Sequence, residues 1–408
     1  MKINTFRAFR SRNYRLYFCG QSVSQIGTWM QRAAVSWIIY TMTHSTFMLG
    51  ISVFASQFPS FLFSLYGGII SDRFNRYKIV MITQSTAMVQ GILLALLVIW
   101  GHYTVWEILA LSVVLGISNA FDVPARLPMV HEMITDKEDL PNAIALNSSM
   151  NNLARLAGPA LSGLVLVKFG AGICFLLNAF SFLCVIVSLL LMKLPAFVPT
   201  GITRSLKTEY IEGYAYLKRT PSIGMVILML ALTSFLVLPY NTLLPVFAKV
   251  IFKGNAATFG YISSFIGLGA VSGAYFLASL KPGANLKKVL FFNTLILGTG
   301  LILFSRFSYF PIAMVFAVCC GFGTMSQTAV SNTIIQIESD KHMRGRVISY
   351  LTTAVYGMLP LGSLLIGFVS KHIGAPASLL CTGILALIIT VLFSKFLLNK
   401  NADTLKPI

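Results

Sequence analysis

Charge is what this chain has least of. Asp and Glu number 12 and Lys and Arg 31, so charged residues make up 11% of 408 while hydrophobic residues reach 56% and mean hydropathy is +0.79. A soluble domain carries far more charge than that, which leaves an integral membrane protein. The formal charge of +19 does not point to nucleic acid, because the cations sit in short gaps between apolar segments instead of covering one face. Six cysteines (Cys19, Cys174, Cys184, Cys319, Cys320, Cys381) fall inside apolar segments with no CxxC or Cys/His spacing. That pattern excludes a zinc site and a disulfide framework, and no metal or cofactor is expected. HExxH, GxSxG, GxxxxGK and paired intramembrane carboxylates are all missing, so neither an enzyme nor a nucleotide-binding protein is indicated. No ring of repeated polar residues suggests a channel. Alternation of period two is absent too, which leaves helices to satisfy the backbone in lipid.

What is present is a series of twelve apolar segments, each near the ~20 residues that cross a bilayer, the first from Tyr14 to Thr41 and the last from Ala375 to Phe393. The basic start of the chain passes into an apolar segment too long for a signal peptide, so it is expected to stay as the first span. Placing the N-terminus inside puts 24 of the 31 Lys and Arg on the cytoplasmic side. Both termini are therefore expected in the cytoplasm, with the basic loops drawn to anionic lipid head groups. The chain also repeats. A shift of 205 places Gly68 on Gly273, Arg76 on Lys281 and Gly116 on Gly321, and "GPALSG" near "PLGSLLIG". The expected class is all-α, with two parallel six-helix repeats: residues 1–193, a cytoplasmic link at 194–221, and residues 222–408. Within the link, Leu206, Tyr210 and Leu217 share a helical face flanked by Lys207, Lys218 and Arg219, as in a short helix lying on the membrane surface.

One loop concentrates charge. "GGIISDRFNRYK" sets Gly68, Asp72, Arg73, Arg76 and Lys78 between the second and third spans. Twelve helices in two parallel repeats with GxxxDRxxR at this point resemble the major facilitator superfamily. "RLAGPALSG" in the fifth span, with Gly158, Pro159 and Gly163, resembles the GPxxxG signature of that superfamily's antiporters. "SRNYRLYFCGQSVSQIGTWMQ", "MTHSTFMLGIS", "FDVPAR", "EGYAYLKRTP" and "RGRV" resemble its transmembrane secretion effector branch, which includes enterobactin exporters and macrolide-efflux proteins. The resemblance implies a multi-pass protein of the bacterial inner membrane. It also implies a latch, in which Asp72 caps the helix starting near Gly345 and Arg76 meets Asp122. Asn75 stands where the family has Gly, and is expected to take a positive φ in its place.

Charges inside the spans each need a partner, water or a task. Arg32, Glu107, Asp122 and Arg155 all belong to the first repeat. With Asp122 neutralised by Arg76 or by Arg126, and Glu107 at the outer interface, Arg32 and Arg155 leave a positive cavity, suited to an anionic amphiphile. Arg155 has a second reading, as a structural donor to carbonyls freed near Pro159. The spans hold no histidine, so Asp122 and Glu107 are the carboxylates available for proton coupling. Trp29, Tyr240, Asn241 and Gln327 are further residues expected to line the cavity. The expected activity is secondary active export of a small amphiphilic, siderophore-like or drug-like molecule by proton antiport, with import or lipid flipping as the alternative. A small-molecule substrate, membrane lipids and a monomeric state complete the expectation.

Overall fold

The computed structural model describes residues 6–194, 206–281, 283–340 and 342–398, and at 206–210 it describes the backbone alone. Helices make up nearly all of the described residues, and no strand occurs among them. Among the described residues ten helical stretches are long and apolar enough to cross a bilayer, with the second, third and fourth spans at Thr46–Arg73, Arg76–Trp100 and Val105–Met133 and the ninth and tenth at Leu286–Arg306 and Phe310–Glu338. One of them, Lys137–Leu190, runs 54 residues. At ~1.5 Å per residue it is more than twice the length a bilayer core requires. It turns at Gly170, whose φ of 77° and ψ of 177° only glycine adopts readily. The two arms are the fifth and sixth spans.

The first helix, Arg12–Thr43, falls outside the apolar set although it is 32 residues long, because it buries polar side chains. Gln31 donates to Gln90 at 3.0 Å and accepts from Asn178 at 2.7 Å, which ties the first, third and sixth spans together through a buried amide chain. Counting both arms at Gly170 and this helix, twelve helices match the twelve apolar segments.

Two compact units emerge, and they depart from the sequence halves in two short segments. The first comprises Met1–His44, Ala55–Gly201 and Gly254–Ser264; the second comprises Ser45–Phe54, Ile202–Lys253 and Phe265–Ile408. Glycine explains both exchanges. In the first unit a Cβ on Gly260 would lie 2.7 Å from the Pro159 carbonyl oxygen and 3.1 Å from the Gly163 Cα, and Ser264 donates to the Leu156 carbonyl at 3.1 Å. In the second, a Cβ on Gly367 would lie 2.7 Å from the Thr46 carbonyl and 3.3 Å from the Gly50 Cα, and Thr46 donates to the Gly367 carbonyl at 2.9 Å. Lipid offers no hydrophobic drive for helices to associate, so backbone-to-backbone approach at small residues does that work.

In the second unit the seventh span, Pro221–Ile251, is not one continuous α-helix. It passes through a 3₁₀ stretch at Leu238–Leu243 and a π turn at Phe247–Ile251, around Pro239 and Pro245, which lack the N–H an α-helix requires. The eleventh, Arg344–Ile373, contains a π turn at Thr353–Gly357. The expected surface helix runs Leu206–Arg219 and docks through Glu212 to Arg346 at 2.7 Å, with the Asp340 N–H donating to the Tyr216 hydroxyl at 3.1 Å. Its Ile211 and Tyr214 are exposed, as a helix at a membrane surface requires. The start of the link, 195–205, and the side chains of Leu206, Lys207 and Tyr210 lie outside the described residues.

Where the second span crosses the fourth, the close residue is Gly67, whose added Cβ would collide with the Ala120 carbonyl oxygen. A Cβ on Gly68, the motif glycine, would meet nothing within 4 Å. Gly67→Ala is therefore expected to lower the melting temperature of the purified protein by several degrees, in line with overpacking penalties of roughly 1–3 kcal/mol. Gly68→Ala should leave it unchanged, and equal losses for the two would contradict this crossing.

Candidate functional site

The fifth-span motif brings two cations to one aromatic ring. A Cβ on Gly158 would collide with that of Trp29 and lie 3.0 Å from the Ile26 carbonyl oxygen, so glycine is what lets the fifth span press on the first here. Arg155 stands three residues earlier on the same helix, and its guanidinium reaches to 5.2 Å from the centre of the Trp29 ring. Arg32, three residues after Trp29, places its own guanidinium 5.2 Å from the same centre. Trp29 and Arg155 are half-buried and Arg32 is exposed. Neither span contributes an acidic residue, since 14–41 and 143–167 contain no Asp or Glu. Aromatic faces attract guanidinium groups, and two such groups on one indole make a concentrated positive site with a flat apolar surface.

Asp122 is buried in the first unit and fully engaged. It pairs with Arg126, one turn later, at 2.9 Å, and accepts from Gln84 at 2.8 Å and from Thr83 at 3.1 Å. The expected Arg76–Asp122 pair is not formed. Arg76 instead pairs with Glu132 at 2.8 Å and lies 3.6 Å from Asp72. The reason is reach: Arg76 opens the third span, and the acid level with it on the antiparallel fourth span is near that helix's end, at Glu132, nearly three turns past Asp122.

Asn75 also differs from expectation. Its φ is −61°, and its side chain caps the third span by accepting from Tyr77 N–H at 2.9 Å and Lys78 N–H at 3.4 Å. Asparagine substitutes for glycine here as a helix cap, not as a residue of positive φ. Arg73 and Lys78 are exposed and make no ion pair among the described residues, while Asp72 is exposed beside Arg76.

Glu132 was missed from sequence, and so was its counterpart in the other repeat. Lys287, opening the ninth span, pairs with Glu338, closing the tenth, at 3.2 Å. Glu132 and Glu338 are 206 positions apart, so the internal repeat carried the signal. Glu107, expected as a proton-coupling residue, forms a capping box with Thr104 and accepts its N–H at 2.6 Å.

In the second unit Asn241 is exposed, but Tyr240 and Gln327 are each only 1% exposed and line no open surface. Tyr240 lies in the 3₁₀ stretch beside Pro239, which packs on Gly362. Gln327 is one turn from Gly323, whose close neighbours are Leu297 and the Asn293 carbonyl, so its face turns toward the ninth span.

Residues 3–407 match the family described as transmembrane secretion effector. The chain belongs to that family. This secretion effector is 25% identical over 384 residues to a staphyloferrin A transporter of Staphylococcus aureus, which spans 93% of this chain and 95% of the relative. It is 27% identical over 386 residues to the enterobactin exporter EntS of Shigella boydii, covering 93% and 90%. Among solved structures, a bacterial homologue of the human lysosomal transporter Spinster, inward-facing and occupied, superposes with a TM-score of 0.77 at 13% identity over 98% of this chain and 100% of the other. A POT family transporter in complex with a thioalcohol-conjugated peptide gives 0.76 at 14% identity over 95% and 97%. The fold is that of the major facilitator superfamily, and the secretion effector is a multi-pass transporter of the bacterial inner membrane rather than an enzyme.

The Asp122 cluster makes a prediction of its own. Asp122→Asn leaves Arg126 buried without its counter-charge, and thermal unfolding should show a loss of about 3 kcal/mol. Asp122→Asn with Arg126→Gln should recover most of it. No recovery in the double variant would mean the pair is not the source of the loss.

Proposed function

We propose that this secretion effector exports a small anionic amphiphile, of the siderophore type, from the cytoplasm by alternating access. The observation that carries the reading is the Trp29 ring with the Arg32 and Arg155 guanidiniums each 5.2 Å from its centre. A planar cation pairs with carboxylate or catecholate oxygens through parallel hydrogen bonds, and the indole offers stacking area to the apolar part of the same molecule. The printed names of the relatives, a staphyloferrin A transporter and an enterobactin exporter, support this class of cargo.

Proton antiport follows as the coupling, with Asp122 as the titrating group. Protonation would release Arg126 and loosen Thr83 and Gln84, which join the third and fourth spans at this level. Asp72, exposed at the end of the second span, is the latch residue that holds the inner side shut while the transporter faces outward. Gly68 and Arg73 belong to the same loop, with Pro159 and Gly163 completing the fifth-span motif.

The test uses inside-out vesicles containing the protein and a panel of carboxylate siderophores, catecholate siderophores and macrolides. Uptake of a siderophore, driven by an acidic vesicle interior, is the expected result, and Arg155→Ala or Arg32→Ala should reduce it about tenfold or more at equal protein level. Uptake of macrolides alone, with the arginine variants fully active, would overturn the anionic cargo. A rate indifferent to the pH gradient would remove antiport.

A further inference from the structure

The first unit also carries an apolar groove, separate from the Trp29, Arg32 and Arg155 grouping. It measures about 330 Å³ and is walled by Ile70 of the second span, Ile79, Ile82, Thr83 and Thr86 of the third, and Val114, Ile117, Ser118 and Phe121 of the fourth. Ile82 is 65% exposed, and Val114 and Ile117 are exposed as well. Three hydroxyls interrupt the apolar wall, and each already donates within the protein: Thr83 to Val80 and Asp122, Thr86 to Ile82, and Ser118 to the Thr83 carbonyl. A polar ligand would find no donor there, and water would find too few partners. The groove suits an aliphatic chain, and the exposed Ile82, Val114 and Ile117 leave it open on an apolar side.

One end of the groove meets the basic loop. Ile79 adjoins Lys78, and Ile70 is three residues, less than one turn, from Arg73. Both cations are exposed and make no ion pair among the described residues, whereas the nearby acids are engaged, Asp72 beside Arg76 at 3.6 Å and Glu132 with Arg76 at 2.8 Å. Phe74, 61% exposed between them, places an aromatic ring at the same level, as residues at a head-group interface do.

We infer that this groove and loop form one binding site for an anionic phospholipid, with an acyl chain between Ile82, Val114 and Ile117 and the phosphate held by Arg73 and Lys78. The cargo has no part in it. The occupant is a lipid because the aliphatic lining passes, within one helical turn along the second and third spans, to two exposed cations, the order of chain and head group in a single amphiphile.

Native mass spectrometry of the full-length protein, with phosphatidylglycerol or phosphatidylcholine of identical chains added in equal amount, tests the site. Two cations near a phosphate predict that phosphatidylglycerol is retained roughly fivefold or more over phosphatidylcholine. Arg73→Gln with Lys78→Gln should abolish that preference while leaving chain-dependent binding of both lipids. Ile82→Trp, which fills the groove from a residue outside the core, should reduce both; Val114→Trp repeats the test from the opposite wall. Equal retention of the two lipids by the wild type, a preference that survives the double glutamine variant, or binding unchanged in both groove-filling variants would each overturn the proposal.

Discussion

The press of Gly158 on Trp29 is the contact on which the site depends. In lipid, helices gain nothing by hiding apolar surface from each other, so they meet where side chains are absent and backbone can touch. At this point glycine does more than permit packing. It fixes the depth at which the fifth span lies against the first, and that depth sets how far the Arg155 guanidinium stands from the indole. The Gly163–Gly260 and Gly50–Gly367 approaches follow the same rule in each unit. A short list of glycines thus determines both the fold and the place of its cations.

The second organising rule is that charge within each unit is settled locally. Asp122 is neutralised by Arg126 on its own helix, Arg76 by Glu132, and Lys287 by Glu338. The last two are the same device repeated: a cation at the start of the third helix of each repeat and an acid at the end of the fourth. Such pairs are worth little when solvated, but they brace the ends of neighbouring helices. Arg32 and Arg155 share an aromatic neighbour, the face of Trp29.

Much of this was legible in the sequence, because the bilayer imposes a length and a polarity that composition records directly. The twelve segments and the short surface helix follow from that constraint. Arg32 and Arg155 could be singled out because charge inside a span is rare, whereas their convergence on Trp29 needs the first and fifth spans placed side by side. Pairing was harder. Arg76 was matched to Asp122 by resemblance, but helix register places it opposite Glu132, and register cannot be seen without the third and fourth spans aligned. Glu107 looked like a membrane carboxylate because its helix is apolar, yet three residues of separation from Thr104 make it a cap. Tyr240 and Gln327 have polar groups in apolar helices, which signals a cavity or a buried interior equally well, and here the interior prevails.

Gly170 turns the chain from one span into the next within a single residue, at a φ of 77°. A corner so short has no slack. The fifth span can tilt together with the sixth, but it cannot slide lengthwise past it, so any travel of Arg155 along the membrane normal must be shared by the neighbouring rod.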